Sequence, residues 1–266
     1  MSTPERISEM RSLSVIKSND LIQKARYSST LMEQKIIIYL ISKINPDDSS
    51  FKTYRFSISE FCRVCGLDDS NTGRYFGYIR DAIKSIADKS MWLTLPNGKE
   101  TLVRWIAKPT LDIAGGVIDI KLDEDLKPYL LELKSRYTMY ALYNVMSMRC
   151  VYSVRLYELL KSYEPYGSYT FSLEELRSLI DADVYTKYFD LKRRVLDPAI
   201  KEINLYTDLL VGYEISNRDG RAVTGLTFSI QPRKDQQPSF QLLLADSIDP
   251  IVPSPLLALA AADAQY

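Results

Sequence analysis

Histidine is absent from all 266 residues. That removes the commonest general base, the serine and cysteine triads built on it, and the histidine cluster with which a relaxase holds its metal. Cysteine is scarce, with Cys62, Cys65 and Cys150 too few and too odd in number for a disulfide scaffold, which suits a reducing compartment. The spacing of Cys62 and Cys65 could chelate zinc, but no second pair completes a tetrahedral site, and two thiols on a short helix is the plainer reading. Long apolar runs are also missing. No stretch approaches the roughly 18 residues that span a bilayer, and the opening from Met1 to Ser12 lacks an apolar signal core, so a cytoplasmic chain with no membrane partner is expected. Pro96, Asn97, Gly98 and Lys99 have the Gly-Lys of a phosphate loop without its spaced glycines, and a hairpin turn fits them better. No catalytic group, metal or cofactor is expected. An excess of charge is the last absence: Lys plus Arg and Asp plus Glu are 34 each, so any nucleic-acid footprint must come from local clustering.

What the sequence does hold is an ordinary globular composition, 46% hydrophobic and 26% charged. Its length suits two domains of about 100–200 residues better than one. An internal repeat supports that division. Tyr39 to Lys43 matches Tyr157 to Lys161, Phe56 to Phe61 matches Phe171 to Leu176, and Ala82 to Ile86 matches Ala199 to Ile203, all roughly 115–118 residues apart. Both copies read in the same order. A helix (Thr30 to Ile44; Val151 to Tyr163) is followed by a strand (Tyr54 to Ser57; Tyr169 to Phe171). Next come a short helix (capped by Ser57 or Ser59 and running through Val64; Leu173 to Ile180) and a long helix (Thr72 to Asp88; Thr186 to Leu205). A hairpin closes each copy (Met91 to Ile106, turning at Asn97 and Gly98; Leu209 to Gln231, turning at Asp219 and Gly220). This is the winged-helix order. A strand at Val117 to Leu122 and a helical stretch at Leu126 to Leu133 lengthen the first copy, and the copies join near residues 136–148. The expected fold is α+β, mainly helical, with two tandem winged-helix domains related by the repeat. The expected division is a flexible N-terminus over 1–14, domains at 15–140 and 141–234, and a flexible tail over 235–266 that contains no lysine or arginine.

A winged helix places its third helix in the major groove, so that helix needs one apolar and one hydrogen-bonding face. At 100° per residue, Leu191, Val195, Tyr188, Ala199, Ile203, Leu196, Phe189 and Ile200 fill an arc of about 180°. Thr186, Lys187, Asp190, Arg193, Arg194, Asp197 and Lys201 fill the rest, while Lys192 falls within the apolar arc. Arginine or lysine can pair with guanine and a carboxylate can accept from cytosine, which makes Lys187, Asp190, Arg193 and Arg194 the base-reading candidates, with Thr186 and Lys201 beside them. Residues 184–201 hold five basic side chains against two acidic ones. Pro198 should bend this helix. An amphipathic helix with a solvated charged face would show the same wheel. In the first copy Arg74, Arg80 and Lys84 line the polar face of the corresponding helix. Lys99 on the first wing, with Arg218 and Arg221 on the second, could touch phosphates, or the wings could be plain surface hairpins.

Two longer stretches carry a family likeness. Lys17 to Ile22 followed by Leu31 to Ile36, and later Tyr188 to Asn204, resemble the opening and the second recognition helix of the iteron-binding plasmid replication initiators. The likeness runs from about residue 15 to 233. The resemblance implies two winged-helix domains, the second making the main major-groove contacts to tandem origin repeats through Lys187, Asp190, Arg193 and Arg194. It also implies a first domain that contributes DNA contacts and dimerisation, monomers that bind iterons, and dimers that often repress their own gene. Host helicase and initiator machinery are the implied protein partners. Lys187 stands where a relative has arginine, which favours a phosphate contact over bidentate reading. The expected role is thus an initiator that acts by binding double-stranded DNA and is no enzyme. The alternatives are a winged-helix transcriptional repressor without an origin role, and a nuclease or relaxase, for which no histidine cluster exists.

Overall fold

The computed structural model describes residues 13–45, 47–67, 72–94, 98–112, 114–131, 133 and 136–233, with 72–74 and 94 by their backbone alone. Of the expected flexible ends, residues 1–12 and 235–266 lie outside it, as do Lys234, Asn97 and the Arg74 side chain. Among the described residues no helix is long and apolar enough to cross a membrane.

The chain begins with a strand, β1 (Ser14–Ser18), and a short helix, α1 (Asn19–Lys24). Helix α2 (Leu31–Ile41) opens on a capping box: the Thr30 hydroxyl accepts the Glu33 N–H while the Glu33 carboxylate accepts the Thr30 N–H. It ends three residues before the expected Ile44, because the Lys43 and Ile44 N–H groups bond to carbonyls only three residues back, tightening the last turn. After β2 (Tyr54–Ser57), the Ser57 hydroxyl caps α3 (Ile58–Val64) by accepting the Glu60 N–H. Tyr39 packs edge-on against Phe56 and Phe61, each with ring centroids 5.4 Å apart. Cys62 and Cys65 are buried thiols, and Cys65 rests against the Met146 sulfur. Helix α4 (Thr72–Asp88) follows, with Tyr75, Ile79, Ile83 and Ile86 buried.

At this point the two copies diverge. The hairpin of β3 (Ser90–Thr94) and β4 (Glu100–Arg104) forms its own two-stranded sheet. The strand that pairs with β2 is β6 (Val117–Ile120), itself flanked by β5 (Thr110–Asp112). What the sequence presents as an extension therefore completes the sheet. The reason is the alternation of β6: Ile118 and Ile120 are fully buried and pair with Phe56 and Tyr54, giving β2 the apolar row it needs. The helix expected over Leu126 to Leu133 shrinks to a 3-10 turn (Glu124–Leu126) and α5 (Lys127–Leu130), since Leu131 is extended.

The region expected to join the copies is itself bound into the fold. Strand β7 (Tyr137–Ala141) pairs antiparallel with β1, with Ile16 opposite Met139, and α6 (Tyr143–Met146) follows it. The second copy then keeps to the expected plan: α7 (Val151–Tyr163), β8 (Ser168–Ser172) and α8 (Leu173–Leu179), the last capped by the Ser172 hydroxyl accepting the Glu175 N–H. The same serine device thus opens the corresponding helix in both copies. Strands β9 (Leu209–Asp219) and β10 (Ala222–Pro232) make a wing longer than expected, turning at Gly220 with φ of 56°, in a sheet ordered β8-β10-β9.

One continuous apolar core runs through both copies. Polar contacts cross it as well. Lys17, 2% exposed, pairs with Glu158 of α7, to which Tyr140 also donates. Lys35 donates to the Met146 carbonyl at 2.7 Å. Arg155 donates to the carbonyls of Ala25 and Leu179 while its guanidinium stacks 4.2 Å from the Tyr27 ring centroid.

Candidate nucleic-acid interface

The outward face of the second copy is carried by the segment after α8. Arg177 of α8 donates to the Thr186 carbonyl at 2.7 Å, which anchors the approach to the helix. The helix itself is not uniform. A first α turn, α9 (Tyr188–Leu191), passes into a π-helical turn (Lys192–Leu196) and then α10 (Asp197–Tyr206). Within the wide turn the Asp197 N–H reaches the Lys192 carbonyl, five residues back. Pro198 accounts for this locally: it has no N–H to give the Arg194 carbonyl, and its ring would strike that carbonyl in a regular α-helix. The expected bend thus takes the form of a wide turn.

The wide turn also re-phases the helix. Leu191, Val195, Ala199 and Ile203, all fully buried, recur at every fourth residue. On a regular helix they would drift about 120° around the axis, and one extra residue in a turn takes back about 100° of that. The buried arc is therefore narrower than the regular wheel predicts. Phe189, expected in the core, falls outside it and is 68% exposed. Lys192 is directed away from the core, with its ammonium 2.7 Å from the Asp197 carboxylate.

Asp197 also accepts from the Tyr213 hydroxyl of β9 at 2.8 Å, tying helix to wing. Burial alone would raise the Asp197 carboxyl, but the bonds from Lys192 and Tyr213 outweigh it and hold the carboxyl below its usual range. The Tyr213 phenol is pushed well up, by burial first and by Asp197 next. At the far end the Asn204 amide brackets Val211, accepting its N–H at 2.7 Å and donating to its carbonyl at 2.9 Å. The helix is thus pinned to the wing at two points about two turns apart.

On this rigid support the expected residues lie as follows. Thr186, Lys187, Arg193, Arg194 and Lys201 are exposed, and Asp190 is half-buried. Lys187 is the N-cap residue of α9. Arg193 sits over the Phe189 ring, 5.6 Å from its centroid, with a guanidinium nitrogen 3.6 Å from the Asp190 carboxylate. Arg218 lies near the end of β9 and Arg221 in the wing turn, both exposed. In the first copy Arg80 and Lys84 are exposed on α4, each beside an acid: Asp81 at 3.4 Å and Asp88 at 2.5 Å. Lys99 is exposed, one residue before β4 of the smaller hairpin. The structure thus gathers the second-copy candidates on one helix and its wing, and sets Arg80 and Lys84 of the first copy each beside an acid. Sequence reasoning missed Phe189 as a surface residue, and Asp197 and Tyr213 as the clamp. Pro198 one residue after Asp197 was the available signal for both.

Residues 14–161 match the family model described as "Initiator Replication protein, WH1", and residues 172–230 match "Initiator Rep protein, WH2". An uncharacterized 27.6 kDa protein of Escherichia coli is 25% identical over 224 residues, which is 78% of this chain and 91% of that protein. Among solved structures, the Pi initiator protein in complex with iteron DNA superposes with a TM-score of 0.71 at 17% identity, covering 85% of this chain and 99% of that one, and so shares the fold. The WH1 domain of MSBI1.176, a replication protein isolated from a multiple sclerosis patient, covers 46% of this chain at 16% identity with a TM-score of 0.31.

Proposed function

The chain belongs to the initiator replication protein family, with both its WH1 and WH2 winged-helix domains, and from that premise we propose that it binds tandem iterons in double-stranded DNA at a plasmid origin. Bound there, it promotes opening of the adjacent duplex and recruits the host helicase and initiator machinery. It performs no covalent chemistry of its own and works in the cytoplasm. As a homodimer it represses its own gene and so bears on plasmid copy number. The first domain, 15–140, adds DNA contacts and dimerisation, and the second, 141–234, reads the major groove.

The observation that carries this reading is the exposed Lys187, Arg193 and Arg194, with half-buried Asp190 beside them, on a helix clamped to its wing, since preorganised polar groups on a rigid element are what base recognition requires. Arg193 and Arg194 pair with guanine, Asp190 accepts from cytosine or orients Arg193, and Thr186, Lys187 and Lys201 meet phosphates. Arg218 and Arg221 reach an adjacent backbone or minor groove, while Arg74, Arg80, Lys84 and Lys99 make the weaker contacts of the first domain. Footprinting on the DNA beside the gene tests it. Tandem same-direction repeats of about 20 base pairs, one site per two helical turns, are expected, whereas a lone inverted repeat at a promoter would make the protein a repressor. Arg193→Ala should weaken binding to a repeat by ~1–3 kcal/mol and relax one base position, and wild-type affinity in that variant would overturn the helix assignment.

A further inference from the structure

A large apolar side chain on the outward face of a helix that reads DNA calls for a cause that the core does not supply. Phe189 is 68% exposed. It lies in the first turn of that helix, beside the residues assigned to base contacts. Its ring is not loose, for the Arg193 guanidinium sits 5.6 Å from its centroid, and Arg193 is steadied in turn by Asp190 at 3.6 Å. Ring, guanidinium and carboxylate thus form one row on the surface. Lys192, which precedes Arg193, is taken up by Asp197. The polar arc therefore carries one apolar element, fixed against the cation best placed to pair with guanine.

The major groove offers one apolar feature to such a ring, the C5-methyl group of thymine. We propose that Phe189 is a specificity-determining residue that packs on the methyl of one thymine, one or two base steps from the base that Arg193 reads. The inference rests on the placement of this helix in the major groove. Successive bases are about 3.4 Å apart, so a ring and a cation separated by 5.6 Å span one to two steps. Cytosine at that position would present a hydrogen-bond donor, the C4 amino group, to a ring that cannot accept it well, so the contact selects against cytosine as well as for the methyl. The ring, held by Arg193 before DNA arrives, loses little freedom on docking, and the apolar surface it now shows to water becomes covered.

Selection by the full-length protein from randomised duplexes yields its preferred site, and each thymine of that site is then replaced singly by uracil, which removes the methyl and leaves the pairing face intact. The wild type should lose about fourfold in affinity at one thymine, the worth of a single buried methyl. Phe189→Ala should bind the thymine and uracil forms of that site equally, and Phe189→Leu should keep part of the discrimination. Because the side chain is exposed, all three proteins should melt at the same temperature. Wild-type indifference to every replacement, or an undiminished loss at the same thymine in Phe189→Ala, overturns the proposal while leaving site-specific binding intact. If selection gives no preferred site, or Arg193→Ala binds it as tightly as the wild type, the placement of the helix fails and this inference with it.

Discussion

Glu158 is 3% exposed, and it accepts from both the Lys17 ammonium and the Tyr140 hydroxyl. A carboxylate so far from water stands only because both partners are present, since an uncompensated buried charge costs several kcal/mol. Burial, and next the Glu158 carboxylate, push the Tyr140 phenol well up, so it stays a donor across the physiological range. Glu158→Ala leaves the Lys17 charge buried and alone, and should cost ~3–5 kcal/mol, read as a lowered urea midpoint. The double variant Lys17→Met, Glu158→Leu should recover most of that loss. A single variant as stable as the wild type would show that the pair is solvated. Lys17 was visible in the sequence only as the start of a family-like stretch, because nothing in its local pattern says that a lysine will be buried. By contrast, the cap of α3 was legible as Ser57 or Ser59, since a serine just before a helix is a local capping signal, and the structure selects Ser57.

At the scale of one element, the helix proposed to read DNA shows how a single residue sets the phase of a whole face. Its ends and amphipathic character were readable from periodicity, and so were Leu191, Val195, Ala199 and Ile203 as its buried row. Its phase was not, because a wheel assumes 100° per residue and the turn Lys192–Leu196 departs from that. Pro198→Ala restores an N–H at that position and removes the ring, which lets the wide turn relax to α-helix. Phe189 and Asp190 would then swing by about 100° relative to the wing. The expected outcome is binding to the repeat weaker by about tenfold, with a melting temperature unchanged or raised, because a proline inside a helix costs ~3 kcal/mol. Unchanged affinity, measured by fluorescence anisotropy, would mean that the wide turn does not position the reading face.

At the scale of the whole molecule, the two copies are not beads on a string. Strand β7 spans the expected joint and pairs with β1, and a single apolar core passes from one copy to the other. The two should therefore unfold as one cooperative unit. Both tryptophans, Trp92 and Trp105, lie in the first copy, so their fluorescence reports that copy, while far-ultraviolet circular dichroism reports both. The two signals should share one urea midpoint, and a tryptophan transition separated from the dichroism would contradict the shared core. The neutral overall charge bears on a different property. It predicts nothing about where DNA binds, because the five basic and two acidic side chains of 184–201 are concentrated on one element of an otherwise balanced chain.

By itself the sequence determined the two-fold repeat, the order of helices, strands and wings, and the set of polar residues on the third helix of the second copy. All of these are written in periodicity and in spacings of a few residues, where local sterics and hydrogen bonding decide the outcome. Only the tertiary structure decided that β6 rather than the β3 and β4 hairpin partners β2, that residues 137–141 close on 14–18, that Lys17 lies buried against Glu158, and that Phe189 faces out. Each of these depends on which distant apolar rows fit together. Strand pairing over a hundred residues and the phase of a helix with a wide turn are settled by the burial of the whole core, and no short window of sequence contains that term.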